Sequence, residues 1–311
     1  MDAATRSAPA SWAVVLNPSK FDDPARVRDD VARLCGDHGW PEPTWYETTV
    51  EDPGEGQARE AVEAGAELVC PLGGDGTVRA VASGLLGSGL PMGLLPGGTG
   101  NLLARNLSLP VDDLDAALAV AMTGSDLAVD VGEVVWDDEE PAVFLVAAGM
   151  GLDAEMMAAV DPRLKKRVGW LAYALSGVGA LFRLGFGVRV RADRQRAVSQ
   201  HARTVMVANC GELAGGLQLI PDARVDDGLL DTILATPRSI SAWVAIALHV
   251  LSVHRRGHPS LVHLTSERVD IVTKAPVEAQ LDGDAVGRRT RMSCSVRPAA
   301  LTVRVAPQGA D

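Results

Sequence analysis

The chain has 311 residues, 47% hydrophobic and 22% charged, a length and balance that suit two globular domains and argue against extended disorder. Its net charge of −11 argues against a general nucleic-acid binder, whose affinity would rest on lysines and arginines meeting phosphates. Cys35, Cys70, Cys210 and Cys294 are far apart with no CxxC spacing, so neither a zinc knuckle nor a disulfide framework is indicated, and a reducing cytoplasm fits.

Asp2 and Arg6 are followed almost at once by a strand-like run at 12–16, so the start does not read as a signal peptide. That strand stops at Asn17-Pro18-Ser19. Apolar residues at Ala25, Val27, Val31 and Leu34 predict a helix over 23–34. A strand at 44–49, a helix at 56–64 and a strand at 67–72 follow. The last ends in Gly73-Gly74-Asp75-Gly76-Thr77, which leads into a helix-like segment, and a second apolar run, 92–95, ends in Pro96-Gly97-Gly98-Thr99-Gly100-Asn101. Helices are expected at 101–107 and 111–122, with Asp112 or Asp113 near the start of the second. Strand and helix alternate throughout, which predicts a parallel sheet with helices on its faces and a ligand site beyond the carboxyl ends of its strands.

From Leu127 the pattern changes to dense short strands, at 128–135, 143–148, 188–191, 204–209, 228–234, 268–273, 277–281 and 301–305. This predicts a second domain of antiparallel sandwich type, interrupted by helical inserts at 163–182 and 241–254. The boundary falls near 125–131. The expected division is an α/β nucleotide-binding domain over 1–128 and a β-sandwich substrate domain over 129–311, with the last residues able to return to the first. The apolar runs 168–182 and 239–254 are shorter than the roughly 18–20 residues that cross a bilayer, so any membrane contact is expected to be peripheral.

Glycine lets a backbone approach a ligand closely, and the first amides of a helix attract anions, so two such turns in one domain suggest a polyphosphate site. They do not fit the common phosphate signatures. Neither turn has the Walker lysine, and neither completes GxGxxG; no GxSxG elbow occurs. What remains is GGDGT paired with PGGTGN about twenty residues later. That pair resembles the diacylglycerol kinase catalytic-domain family, which includes bacterial lipid kinases and sphingosine and ceramide kinases, and is similar more distantly to NAD kinases. Four further segments match in order: Asn17-Pro18, Val129-Asp130-Val131-Gly132, the AGMGLDA run from Ala148 to Ala154, and the segment from Pro221 through Asp226-Asp227-Gly228 to Asp231. Leu281-Asp282-Gly283-Asp284 then resembles the family's late DGE/DGD motif.

The resemblance implies an N-terminal domain like that of NAD kinase, a C-terminal β-sandwich, and an active site in the cleft between them. It implies that ATP is held by Asn17, Gly74, Asp75, Gly76, Thr77 and Thr99. It also implies Mg2+ near the DG segment, on Asp227 and the backbone carbonyls of Arg224 and Leu229. Transfer to an alcohol requires a group that takes the hydroxyl proton. Asp284 and Asp75 are the candidates; Asp284 is favoured as base and Asp75 as organiser of nucleotide or metal, while the sphingosine kinase resemblance gives Asp75 a more direct role.

Two departures stand out: Val78-Arg79-Ala80 follows GGDGT where many relatives have Asn-Glu, and Lys20 stands where the first loop usually has glycine. The favoured reading is an ATP-dependent kinase of diacylglycerol or a related lipid, meeting its substrate at a membrane surface. Its rivals are a NAD kinase-like enzyme and a nucleotide- or lipid-binding sensor without catalysis. Residues 162–203 hold ten lysines and arginines and one acid, Asp193, around an apolar centre. They fit an interfacial helix or a buried helix with solvated flanks equally well. His249, His254, His258 and His263 recur without a carboxylate among them and do not read as a metal site. No nucleic-acid partner is expected, and a homodimer is compatible with the sequence.

Overall fold

The computed structural model describes residues 8–151, 185–213, 217–218, 220, 222–237, 239, 242 and 260–307. Outside them lie the expected insert at 163–182, nearly all of that at 241–254, the motif residues Leu152, Asp153, Ala154 and Pro221, and His249, His254 and His258. The chain divides into two units, one of Met1–Val129 with Ala299–Asp311 and the other of Asp130–Pro298. Among the described residues no helix is long and apolar enough to cross a membrane.

The first unit alternates strand and helix: β1 (Trp12–Leu16), α1 (Pro24–His38), β2 (Thr44–Glu47), α2 (Glu55–Glu63), β3 (Leu68–Gly73), α3 (Asp75–Leu85), β4 (Pro91–Met92), β5 (Leu95–Pro96), α4 (Leu102–Asn106) and α5 (Leu114–Thr123). β1 pairs in parallel with β2 and β3, and β3 in parallel with β4 and β5. Every residue of β1 and β3 is buried, as a parallel sheet covered on both faces requires. Trp12, Val14 and Leu16 share a core with Leu68, Cys70 and Leu72, with Val31 and Leu34 of α1 and with Leu118 and Met122 of α5.

Local chemistry sets the ends of these elements. Asp23 caps α1 by accepting from the Arg26 amide, Pro24 opens it, and Gly39 closes it at φ 68°, so that the helix runs to His38, four residues beyond the expected end. Asp113 caps α5 through the Ala116 amide. The run 92–95 becomes two short strands, and between them Gly93 passes so close to Ala121 and Cys70 that a Cβ there would lie 2.7 Å from a side-chain atom of each.

The second unit contains most of β6 (Ser125–Trp136), then β7 (Ala142–Phe144), β8 (Ala147–Gly151), β9 (Phe186–Ala192), β10 (Val198–Ala202), β11 (Thr204–Ala208), the short pair β12 (Glu212–Leu213) and β13 (Leu217–Gln218), β14 (Leu230–Ala235), β15 (Leu261–Ser266), β16 (Arg268–Leu281) and the larger part of β17 (Asp284–Val305). Antiparallel pairing gives the order β15-β14-β11-β8-β16, and β16 also pairs with β9 and β17. The core is built from Phe144, Met150, Val205, Val207, Leu230, Leu234, Ile271 and Met292.

Three differences from the expected strands have physical causes. The run 143–148 is two strands, because the amides of Leu145, Val146 and Ala147 turn to the Asp282 carboxylate. The two runs 268–273 and 277–281 are one strand, irregular in register between Val272 and Val277. β10, β15 and residues 284–297 were not expected as strands; they carry many polar or charged residues, and each is held by antiparallel pairing, β10 with β9, β15 with β14 and 284–297 with β16.

Candidate active site

In the first unit, two loops meet at the carboxyl edge of the parallel sheet. β1 ends at Leu16, and the chain enters a 3-10 turn, Pro18–Lys20, anchored by Asn17. The Asn17 amide donates to the Leu72 carbonyl at 3.0 Å, and its side-chain oxygen accepts from the Ser19 amide and hydroxyl at 3.1 and 2.7 Å. Its side-chain nitrogen donates to Thr77 Oγ1 at 3.1 Å. Asn17 and Thr77, sixty residues apart in sequence, are thereby joined at the start of α3. The amides of Gly76 and Thr77 lie in the first turn of α3, where a helix offers no carbonyl of its own.

The second glycine turn packs against the first. A Cβ on Gly97 would lie 2.6 Å from the Gly73 nitrogen, and one on Gly98 would lie 2.7 Å from the Gly74 Cα. Backbone meets backbone here, so glycine is required by space. The Asp75 carboxylate crosses the junction: Oδ1 accepts from the Leu102 amide at 2.6 Å, the first residue of α4, and Oδ2 lies against Gly100. Asp75 therefore ties one turn to the other. Thr99 is exposed at the crest of the second turn.

Two residues outside the expected site shape that turn. Asn101, buried and at φ 48°, accepts from the Gly98 amide at 3.2 Å and donates to the Gly98 carbonyl at 2.9 Å. Arg105 Nε donates to the Gly100 carbonyl at 2.9 Å. Asn101 could have been found from the motif, since asparagine is among the few non-glycine residues that readily take this left-handed backbone. Arg105 gave no sequence signal.

In the second unit the DG loop is organised by a buried acid. Asp130 Oδ2 accepts from the Gly228 amide at 2.6 Å, and the Asp130 amide donates to the Val225 carbonyl at 2.6 Å. Asn209 Nδ2 donates to the carbonyls of Asp130 and Leu145 at 2.8 and 3.1 Å. Asp227 is exposed and accepts from the Leu229 amide at 3.0 Å. Partial burial and the charges of Asp231 and Asp130 raise its carboxyl above the usual range, against the lowering effect of that amide and of Arg224. The Arg224 side chain is engaged with Asp226, Nε to Oδ1 at 3.0 Å.

Among the described residues no group of three or more His, Cys, Asp or Glu side chains is placed to hold a metal ion. One carboxylate with backbone carbonyls is nevertheless a hard-oxygen donor set of the kind magnesium takes, and acids crowded around Asp227 would be relieved by a cation.

The late DGD motif is a hairpin. Asp282 and Gly283 have φ of 45° and 89°, the two positive values of a two-residue turn between β16 and β17, and Leu281 pairs with Asp284 across it. Asp282 is buried, with its carboxylate receiving the amides of Leu145, Val146 and Ala147 at 3.0, 2.8 and 3.0 Å. Asp284 is the exposed first residue of β17. Within the first unit the structure thus gathers Asn17, Gly74, Asp75, Gly76, Thr77 and Thr99. In the second, Arg224, Asp227 and Leu229 share one loop, while Asp284 stands on a hairpin.

Comparison with known proteins gives a consistent result. Residues 11–134 match the diacylglycerol kinase catalytic domain, and residues 146–305 match the YegS C-terminal NAD kinase beta sandwich-like domain. The chain is 28% identical over 80% of its length to a Klebsiella pneumoniae protein named "Probable lipid kinase YegS-like", of which 81% is covered. It is 26% identical over 79% of its length to a diacylglycerol kinase of Bacillus subtilis, covering 80% of that protein. Among solved structures it resembles a diacylglycerol kinase from Bacillus anthracis with a TM-score of 0.71 at 19% identity, covering 96% of this chain and 98% of that one. Yeast NADH kinase shares the fold at a TM-score of 0.51 and 10% identity, over 97% of this chain and 85% of that one.

Proposed function

The chain belongs to the diacylglycerol kinase catalytic-domain family and is a kinase of the lipid kinase class, and we propose that it transfers the γ-phosphoryl group of ATP to a hydroxyl of diacylglycerol. The observation that carries this reading is the pair of glycine turns joined through Asp75 beside the Asn17–Thr77 hydrogen bond. Such a junction offers unpaired helix amides, a threonine hydroxyl and backbone free of side chains, which is what a polyphosphate needs. In this reading Asn17, Gly74, Gly76, Thr77 and Thr99 bind the nucleotide. Asp75 orients the second turn through Leu102.

Magnesium, when bound, supplies positive charge; Asp227 and the carbonyls of Arg224 and Leu229 would hold one ion near the DG loop. Asp284 takes the proton of the lipid hydroxyl. Its exposure suits a group that must reach a substrate, whereas the neighbouring Asp282 is already satisfied by three backbone amides. Contact with the lipid surface is peripheral.

The test is label transfer from ATP by the purified protein, with magnesium and either diacylglycerol liposomes or NAD. Label in the lipid is expected. Label in NAD alone would replace this reading with the NAD kinase one, and label in neither, with ATP binding shown separately, would leave a binding protein. Asp284→Asn is expected to lower kcat by about a hundredfold or more while ATP affinity stays. If Asp284→Asn turned over normally and Asp75→Asn lost turnover with ATP affinity intact, Asp75 would be the base instead.

A further inference from the structure

We infer that Lys20 is a phosphate-binding residue of the nucleotide site, supplying from the first loop the cation that the glycine turns lack. The inference rests on the reading of that site as one for a nucleotide polyphosphate. Lys20 closes the 3-10 turn, and its backbone is fixed there: its amide donates to the Asn17 carbonyl at 3.2 Å, and the Phe21 amide to the Pro18 carbonyl at 3.3 Å. Because Asn17 is itself bonded to Leu72 and Thr77, the root of the lysine is held against the start of α3.

From that root the side chain folds back over the first glycine turn. A Cβ on Gly74 would lie 3.3 Å from Lys20 Cε and 3.8 Å from its Nζ. Gly74 has φ −91° and an extended ψ, a conformation open to any residue, so the glycine matters here for the room it leaves. The end of the lysine lies against that room, with Cε its nearest atom and the ammonium in van der Waals range.

Three facts make the placement point to an anion. Lys20 is exposed and could extend into water, yet it lies over the turn. Among the described residues it makes no ion pair, and the one acid of the motif, Asp75, accepts from the Leu102 amide. A cation at a helix N-terminus is also opposed by the positive end of the helix dipole, so this position favours lysine only when a negative group sits between the two. A phosphate resting on the amides of Gly76 and Thr77 would be such a group. The nearby Arg105 is occupied with the Gly100 carbonyl. The departure at position 20 is, on this view, a gain of charge at the donor site.

The experiment compares the full-length wild type with Lys20→Met and Lys20→Arg. Dissociation constants for ATP, ADP and AMP are measured by titration calorimetry, alongside KM for ATP and kcat. Loss of one charge-assisted contact should weaken ATP and ADP by about tenfold or more and leave AMP nearly unchanged. KM for ATP should rise more than kcat falls, Lys20→Arg should recover part of the affinity, and the thermal midpoint should not move. Equal ATP affinity in wild type and Lys20→Met would overturn the inference and leave the kinase reading standing. Equal losses for AMP and ATP would also overturn it, since AMP lacks the outer phosphates. A wild type that binds no ATP would remove both.

Discussion

At the scale of single residues, the pairing of His263 with Asp231 has a measurable consequence. His263 Nε2 lies 2.6 Å from Asp231 Oδ1, and the Thr265 hydroxyl donates to the same oxygen at 3.1 Å. The hydrogen bond to Asp231 and its charge raise the His263 pKa above the ordinary 6.5, against the opposing effect of partial burial. A group whose folded pKa is raised stabilises the fold fully below its unfolded value and loses that contribution as pH climbs through the folded one. His263→Gln should therefore lower the urea midpoint at about pH 5.5, and the gap to wild type should close by about pH 9. A gap of equal size at both pH values would assign the loss to packing instead. Nothing in the sequence announces this pair. As one of four recurring histidines His263 looks isolated, and only the β14–β15 register, with Asp231 opposite Thr265 and Ile233 opposite His263, brings the acid within reach.

At the scale of elements, the two glycine turns were legible as phosphate-type turns because glycine and a following helix are local signals. Their mutual contact was not, since it depends on β3 pairing with β5, Gly73 opposite Pro96. Gly97→Ala tests that contact. Its Cβ would press on the Gly73 nitrogen and Cα at 2.6 and 2.9 Å, and neither backbone can withdraw without moving the turn. A loss of about 1–3 kcal/mol in unfolding free energy is expected, together with weaker ATP binding. Gly36 is the control: it lies within α1 with nothing within 4 Å of its would-be Cβ, so Gly36→Ala should stabilise by about 0.5–1 kcal/mol. If both substitutions behaved alike, the close approach of the turns would be refuted. The same reasoning explains the strands that sequence patterning missed. A strand such as VSQHA in β10 or LVHLTS in β15 has no clean alternation of apolar and polar residues, so its state is decided by the strand it pairs with, β9 for the first and β14 for the second.

At the scale of the whole chain, the α/β-then-sandwich order was readable because the spacing of apolar residues changes near Leu127. The apolar run at 301–305 also reads as a strand, but no local feature says which sheet receives it. The structure pairs Thr302 with Pro91 and Val303 with Met92, in parallel, within the first unit. A buried arginine fastens that return. Arg304 is 3% exposed; its Nη1 donates to the Gly124 carbonyl at 2.9 Å, and its Nε lies 3.1 Å from Asp126 Oδ1 as an ion pair without hydrogen-bond alignment. Arg304→Met keeps much of the side-chain volume but removes the guanidinium from the Gly124 carbonyl and from beside the Asp126 carboxylate. Because Asp126 is partly solvated, the cost should fall below that of a fully buried pair, at about 2–3 kcal/mol. The loss should also be local. Hydrogen exchange followed by peptide should quicken in β3, β4 and the end of β17, while β11, β14 and β16 keep their protection. Equal loss across both sets would mean that the two units unfold as one, and no loss in β4 would mean that the pairing at Thr302 and Val303 does not depend on Arg304.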